Sequence, residues 1–227
     1  MTPARDMLDA VKKGDADRVA LLLAGNNALV NARDDTGDSA LLLSLYHRQG
    51  TITRMLLAGA PRINFFEAAA LGDITRMWEL LKYYPELVTS YSHDGFTALH
   101  LGAFFRYEDV VELLLEHHAD IHAVAKKESP SPRSTPLHSA VAGGAPHIVA
   151  LLLNAGSNAN ARQEGGYTAL HAAAAGGNEE IIHLLLRHGA KLRLRSDAGQ
   201  TAEAIAEAKG NPAALILLRH HEHQDNA

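Results

Sequence analysis

The chain has 227 residues, 47% apolar and 21% charged, which supports a folded core and excludes disorder for most of its length. Its formal net charge is −5, with 11 Lys and Arg against 17 Asp and Glu through His122, so nucleic acid is a poor fit as a partner. There is no cysteine, which removes disulfides, thiolate metal sites and thiol catalysis, and the longest apolar runs, such as Ile148 to Leu153, are far too short to span a membrane.

The opening stretch, MTPARDMLDAVKKGDADR, is too polar for a cleaved signal, so a soluble, cytoplasmic chain is expected. Within the N-terminal half, Gly14-Asp15 matches Gly72-Asp73, Leu29-Val30 matches Leu87-Val88, Gly37 matches Gly95 and Ala40-Leu41 matches Ala98-Leu99, always at an offset of 58. Further along, Thr135, Thr168 and Thr201 follow one another at 33, and Thr97 precedes Thr135 by 38. The segment from Thr135 shows what one period encodes. Thr135 is a good N-cap and Pro136 suits the first helical position; Leu137, Ala140 and Val141 make a short apolar face, and Gly143-Gly144 ends the helix. Ile148 to Leu153 forms a second, more apolar helix that Gly156 ends, followed by a polar connection. Such a helix–turn–helix cannot bury its apolar face alone, but stacked copies can.

TPLH at 135–138, TALH at 97–100 and 168–171, LLLxxG at 151–156 and 184–189, and the 33-residue period resemble the ankyrin repeat. The resemblance implies an all-α solenoid of about seven helix–turn–helix units with short β-hairpin-like arms: 3–33, 34–64, 65–91, 92–130, 131–163, 164–196 and 197–222, then a polar tail at 223–227. The whole of 1–227 is read as a single domain, with the first and last units as caps. Departures from the pattern mark places to inspect. Arg48 and Arg106 stand where a helix-ending Gly is usual. Ser39 to Ile63 falls nine residues short of a full unit, leaving no room for an arm before the third; Ile63, Phe65 and Phe66 are expected to seal that junction. The connection VAKKESPSPRS is five residues longer than standard, and its Ser, Pro and charge suggest mobility around 126–133.

The 14 histidines invite a metal reading. His100, His138 and His171 recur with the period, as residues that hydrogen-bond within their own capping turns would, and His220, His221 and His223 sit at a terminus. No metal site and no cofactor is expected. No GxSxG, HExxH, P-loop or GxGxxG motif occurs, and the Gly-Gly pairs fall at helix ends and in an arm, so an enzyme is not expected. Lys191, Arg193 and Arg195 alternate with leucines and should share one side of an extended segment, where they form a second candidate surface. Trp78, Tyr83 and Tyr84 read as packing residues.

The resemblance implies binding of another protein through a concave face built from the arms and the last turn of each first helix. Carried over by position, that face includes Lys12, Lys13, Leu71, Tyr46, His47, Phe96, Phe104 and Phe105, with Asp35, Asp38 and Asp94 in the arms around them. Ala142, Gly143, Ala175 and Gly176 keep it small toward the C-terminus. The partner-binding residues expected are Tyr46, His47, Phe96, Phe104, Phe105, Asp35, Asp38 and Asp94, an apolar centre with an acidic rim. Such a rim suits a partner segment with an aliphatic or aromatic anchor flanked by Lys or Arg. The protein is expected to act as a monomeric, non-catalytic interaction module; the alternative is a regulatory or inhibitory subunit of an enzyme or toxin-like partner.

Overall fold

Side-chain oxygens ahead of the apolar runs start the helices. Ser39, Asn64, Thr97 and Thr201 each accept the backbone N–H three residues on, a cap worth about 1 kcal/mol. In the computed structural model, which describes residues 2–126 and 129–225, these four caps open four of seven consecutive helix pairs. The pairs are α1 (Pro3–Lys13) and α2 (Ala16–Gly25); α3 (Ala40–Tyr46) and α4 (Gly50–Ala58); α5 (Phe65–Leu71) and α6 (Ile74–Tyr83); α7 (Ala98–Phe105) and α8 (Glu108–Glu116). Then follow α9 (Pro136–Gly143) and α10 (Pro146–Asn154), α11 (Ala169–Gly176) and α12 (Glu179–Arg187), and α13 (Ala202–Lys209) and α14 (Pro212–Asp225). Within the stretch read as a polar tail, α14 runs through Asp225; 226–227 lie outside the described residues, as does the His223 side chain. None of the described helices is long and apolar enough to cross a membrane.

First helices stack on first helices from α1 to α13, and second helices form a layer behind them. Alanines allow the close approach: Ala68–Ala70, Ala140, Ala173 and Ala174 are all buried. Between the pairs, tight turns replace strands. Asp34 N donates to Asp38 O, Ser92 N to Phe96 O, Gln163 N to Tyr167 O and Ser196 N to Gln200 O. Among the described residues the only ladder pairing is an isolated bridge between Arg33 and Ser39.

Arg48 and Arg106 have φ of 54° and 68°, taking the left-handed conformation that glycine adopts at the corresponding helix ends. At the short junction Phe65 is buried, Phe66 is half-buried, and their rings meet edge-to-face at 6.0 Å. The apolar core nevertheless divides there. Met7 to Leu56 form one cluster and the rest of the chain another, with α3 contributing Leu41 and Leu43 to the first and Leu42 to the second. Ile63 packs against both. A polar clasp crosses the division. Arg33 Nη2 lies 2.9 Å from Glu67 Oε1, and Glu67, 2% exposed, also closes a capping box with Asn64.

The long connection after α8 is tied down where it is described. Lys126 N donates to Gly95 O, Ala125 N to Ser134 O, Arg133 N to Ala125 O and Ser129 N to Lys126 O. Lys127 and Glu128, within the stretch whose composition suggests mobility, lie outside the described residues. One difference from expectation concerns Trp78, Tyr83 and Tyr84, which stand 55%, 70% and 53% exposed instead of packing. They lie on and just after α6, whose buried stripe, Met77 and Leu81, is narrow enough to leave them outside.

Candidate functional site

The missing arm creates the site. With no turn between α4 and α5, the turn before α3 (34–38) and the turn before α7 (92–96) become neighbours. Their contact is close enough to require a glycine: a Cβ on Gly37 would lie 2.6 Å from the His93 ring. Side chains then reach across α5, which the run Ala68–Ala70 keeps low. From the end of α3 the Tyr46 hydroxyl donates to Asp94 Oδ2, while Ser92 Oγ donates to Asp94 Oδ1. The Tyr46 ring lies 6.4 Å from Phe104 and 5.5 Å from Phe105, and those two rings meet at 5.1 Å.

Between these groups lies a cavity of about 430 Å³. Leu43, Tyr46, Phe96, Leu101 and Phe104 give it an apolar body, with Asp38, Asp94 and His47 on the N-terminal side. Ser134, His138 and Ala142 line it from α9 and the turn before it, and Pro130 and Ser131 of the long connection supply a wall. The surface continues toward the C-terminus as a shallower recess beside Tyr167, Ala172 and Ala175.

The eight residues expected to bind a partner divide by this geometry. Tyr46, His47, Phe96, Phe104, Asp38 and Asp94 all line the cavity. Phe105 backs it by packing on Tyr46 and Phe104. Asp35 is exposed and outside it. Two of the lining residues are buried. Phe96 is 8% exposed, with its ring 5.6 Å from that of His100. Asp94 is 7% exposed and engaged by Tyr46 and Ser92, so it is no rim charge. Of the other positions on that face, Lys12 and Lys13 are exposed, and Leu71 packs on the N-terminal core cluster. Lys191, Arg193 and Arg195 do alternate outward against half-buried Leu192 and Leu194.

Charge in the cavity is unevenly settled. The Asp38 carboxylate is half-buried, and among the described residues it has neither a hydrogen bond nor an ion pair. Burial first, then the negative charges of Asp94 and Asp34, push its pKa up to about 6, with His93 and Lys12 opposing. Burial and the neighbouring Asp94 likewise raise the Tyr46 phenol, which therefore stays a donor.

The recurring histidines are engaged in structure. His100 Nδ1 accepts from Thr97 N, so its Nε2 carries the proton and donates to Ser134 O at 3.0 Å. His171 repeats this with Thr168 N and Gln200 O. Burial lowers both rings, His100 to about 4, keeping them neutral. His138 bonds Thr135 N, but among the described residues its Nε2 has no partner at hydrogen-bond geometry, although the Tyr167 and Ala161 carbonyls lie on that side, and the buried Ser134 hydroxyl has none either.

Sequence reasoning missed Pro130 and Ser131 as cavity wall, along with the structural histidines and Ser134 as lining. The five-residue excess of the connection was the available signal, and position relative to the missing arm would have sharpened it.

Comparisons with known proteins agree with the repeat reading. A family model described as ankyrin repeats (3 copies) matches residues 7–125 and 137–227. Ankyrin repeat and SAM domain-containing protein 6 of Rattus norvegicus is 34% identical over 108 residues, 48% of this chain and 12% of that protein. Probable E3 ubiquitin-protein ligase XBOS31 of Oryza sativa subsp. japonica is 34% identical over 96 residues, 42% of this chain and 20% of its own length. NAD-capped RNA hydrolase NUDT12 of Homo sapiens is 36% identical over 91 residues, 40% of this chain and 19% of its own. The match thus spans a fifth or less of each of these relatives. Stacked helix pairs, repeating Thr-x-x-His caps and the family match lead to one conclusion: the chain belongs to the ankyrin repeat family.

Proposed function

We propose that the chain is a non-catalytic binding module, monomeric and cytoplasmic, that holds a partner protein on the face formed by the first helices and the turns. Ankyrin repeats are generally protein–protein interaction modules and are typically non-catalytic, which supports the class of function. The observation that carries the location is the cavity between α3, α7 and α9, with aromatic rings and a carboxylate that has no partner among the described residues. Rigid, partly exposed aromatic groups in a pocket are typical anchors of interfaces.

The test is affinity capture from the source cells with the parent chain and two variants. Phe104→Ala removes an aromatic wall. Ala142→Trp adds bulk at an exposed lining position, where the fold has room for it. Both should keep the parent's circular dichroism and lose the captured protein. Retention of the same protein by both variants would refute this surface. If the captured protein is an enzyme or a toxin-like protein, an activity assay on the complex decides whether binding regulates it.

A further inference from the structure

An apolar anchor would serve most of this cavity well but would leave Asp38 worse off. Seating a methyl or phenyl group there excludes water from a carboxylate that among the described residues already has no hydrogen bond, no ion pair and two carboxylates for neighbours. Burying an unpaired charge further is among the costlier moves in recognition. A cation reverses the balance. It pairs with Asp38, lies in the negative field of Asp94 and Asp34, and comes beside the Tyr46, Phe96 and Phe104 rings that line the cavity, and aromatic faces attract cations. Lining the same cavity, Ser134 is 2% exposed and its hydroxyl has no partner among the described residues, so a group able to hydrogen-bond is also wanted on that side.

We infer that the cavity takes a basic side chain, Arg or Lys, of the partner protein, with its charged head at Asp38 and its aliphatic stem along Leu43 and Phe104. This rests on the binding reading above and names the anchor. The volume, about 430 Å³, accommodates such a side chain with part of its backbone, for which the Ser134 hydroxyl is a hydrogen-bonding partner. Of the two cations, guanidinium is the more weakly hydrated and stacks on aromatic rings, so Arg should bind more tightly than Lys.

The probes are five capped pentapeptides, acetyl-Gly-Gly-X-Gly-Gly-amide, with X as Arg, Lys, norleucine, Phe or Glu. They are titrated into the full chain labelled at leucine methyls and followed by NMR at Leu43 and Leu101. The Arg and Lys peptides should shift both signals in a saturable way, at least tenfold more tightly than norleucine or Phe, with Glu inert. Asp38→Asn should weaken the Arg peptide tenfold or more, whereas Glu112→Gln, an exposed charge on α8, should leave it unchanged. Equal or tighter binding of norleucine or Phe would overturn the cationic anchor while leaving the binding face intact. Absence of any shift at Leu43 and Leu101 up to 10 mM peptide (about 2.7 kcal/mol of binding) would also overturn it, and the capture experiment then decides the face separately.

Discussion

Asp38→Asn should make the protein more stable. The side chain keeps its shape, so the 34–38 turn and the cavity wall are preserved, and only the charge goes. Asp38 titrates at about 6 against an ordinary 3.8, because burial and the charges of Asp94 and Asp34 penalise its ionised form. Two pKa units correspond to roughly 3 kcal/mol at about 1.4 kcal/mol per unit. Partial exposure and solvent screening reduce that to about 1–1.5 kcal/mol. The sign follows from linkage. Between pH 4 and 6 the folded chain retains a proton that the unfolded chain has lost, so the parent loses stability as pH rises through this window and the loss is complete above it. Asn carries no such penalty. The variant should match the parent near pH 4 and exceed it by about 1–1.5 kcal/mol at pH 7.5, a rise in Tm of roughly 3–5 °C for a chain of this size. Urea titrations at pH 4, 5, 6 and 7.5, read by helicity, measure the difference; taking variant minus parent cancels carboxylates that do not interact with Asp38, such as Asp6, whose pKa is lowered. A variant no more stable than the parent at pH 7.5, or one whose advantage is the same at pH 4, would refute the account of Asp38. Stability gained together with lost peptide binding would identify a residue kept for function at a cost in folding.

Three further outcomes follow from the packing. Gly143→Ala would place a Cβ 2.4 Å from Phe104 O at the α7–α9 contact, so it should cost on the order of 1–3 kcal/mol in urea titrations and shift the Phe104 ring resonances. Arg106→Gly relieves a left-handed arginine at an exposed helix end and should gain about 0.5–1 kcal/mol by the same titration. Arg33→Ala removes the ion pair across the core division and leaves the buried Glu67 carboxylate only its capping partner, Asn64, on its own helix; the expected loss is about 2 kcal/mol, with faster hydrogen exchange in 65–71 than in 98–105.

The periodic part of this fold was legible because its determinants are local. Thr-x-x-His caps, alanine faces and leucine runs recur in phase, and the helices formed where those patterns predicted. The site was legible only to the extent that it follows the period. Tyr46, His47 and Phe104 came from their place at the ends of first helices. That Tyr46 would reach Asp94, 48 residues away, depends on two turns meeting where a third is missing; the nine-residue shortfall was visible, but its consequence is a tertiary contact. The burial of Phe96 and Asp94 was hidden for the same reason, since the proximity that covers them is not encoded within their own unit. Trp78, Tyr83 and Tyr84 show the converse: large apolar side chains imply burial by composition, but here α6 turns them outward.

The central claim is that a partner sits on the cavity between α3, α7 and α9. Hydrogen–deuterium exchange of the captured complex against the free chain tests it most directly. Protection concentrated in 38–47, 96–105 and 134–142, and lost with Ala142→Trp, is the predicted result. Protection confined to α6 and its exposed aromatics, or to 191–195, with the cavity segments unchanged, would contradict it.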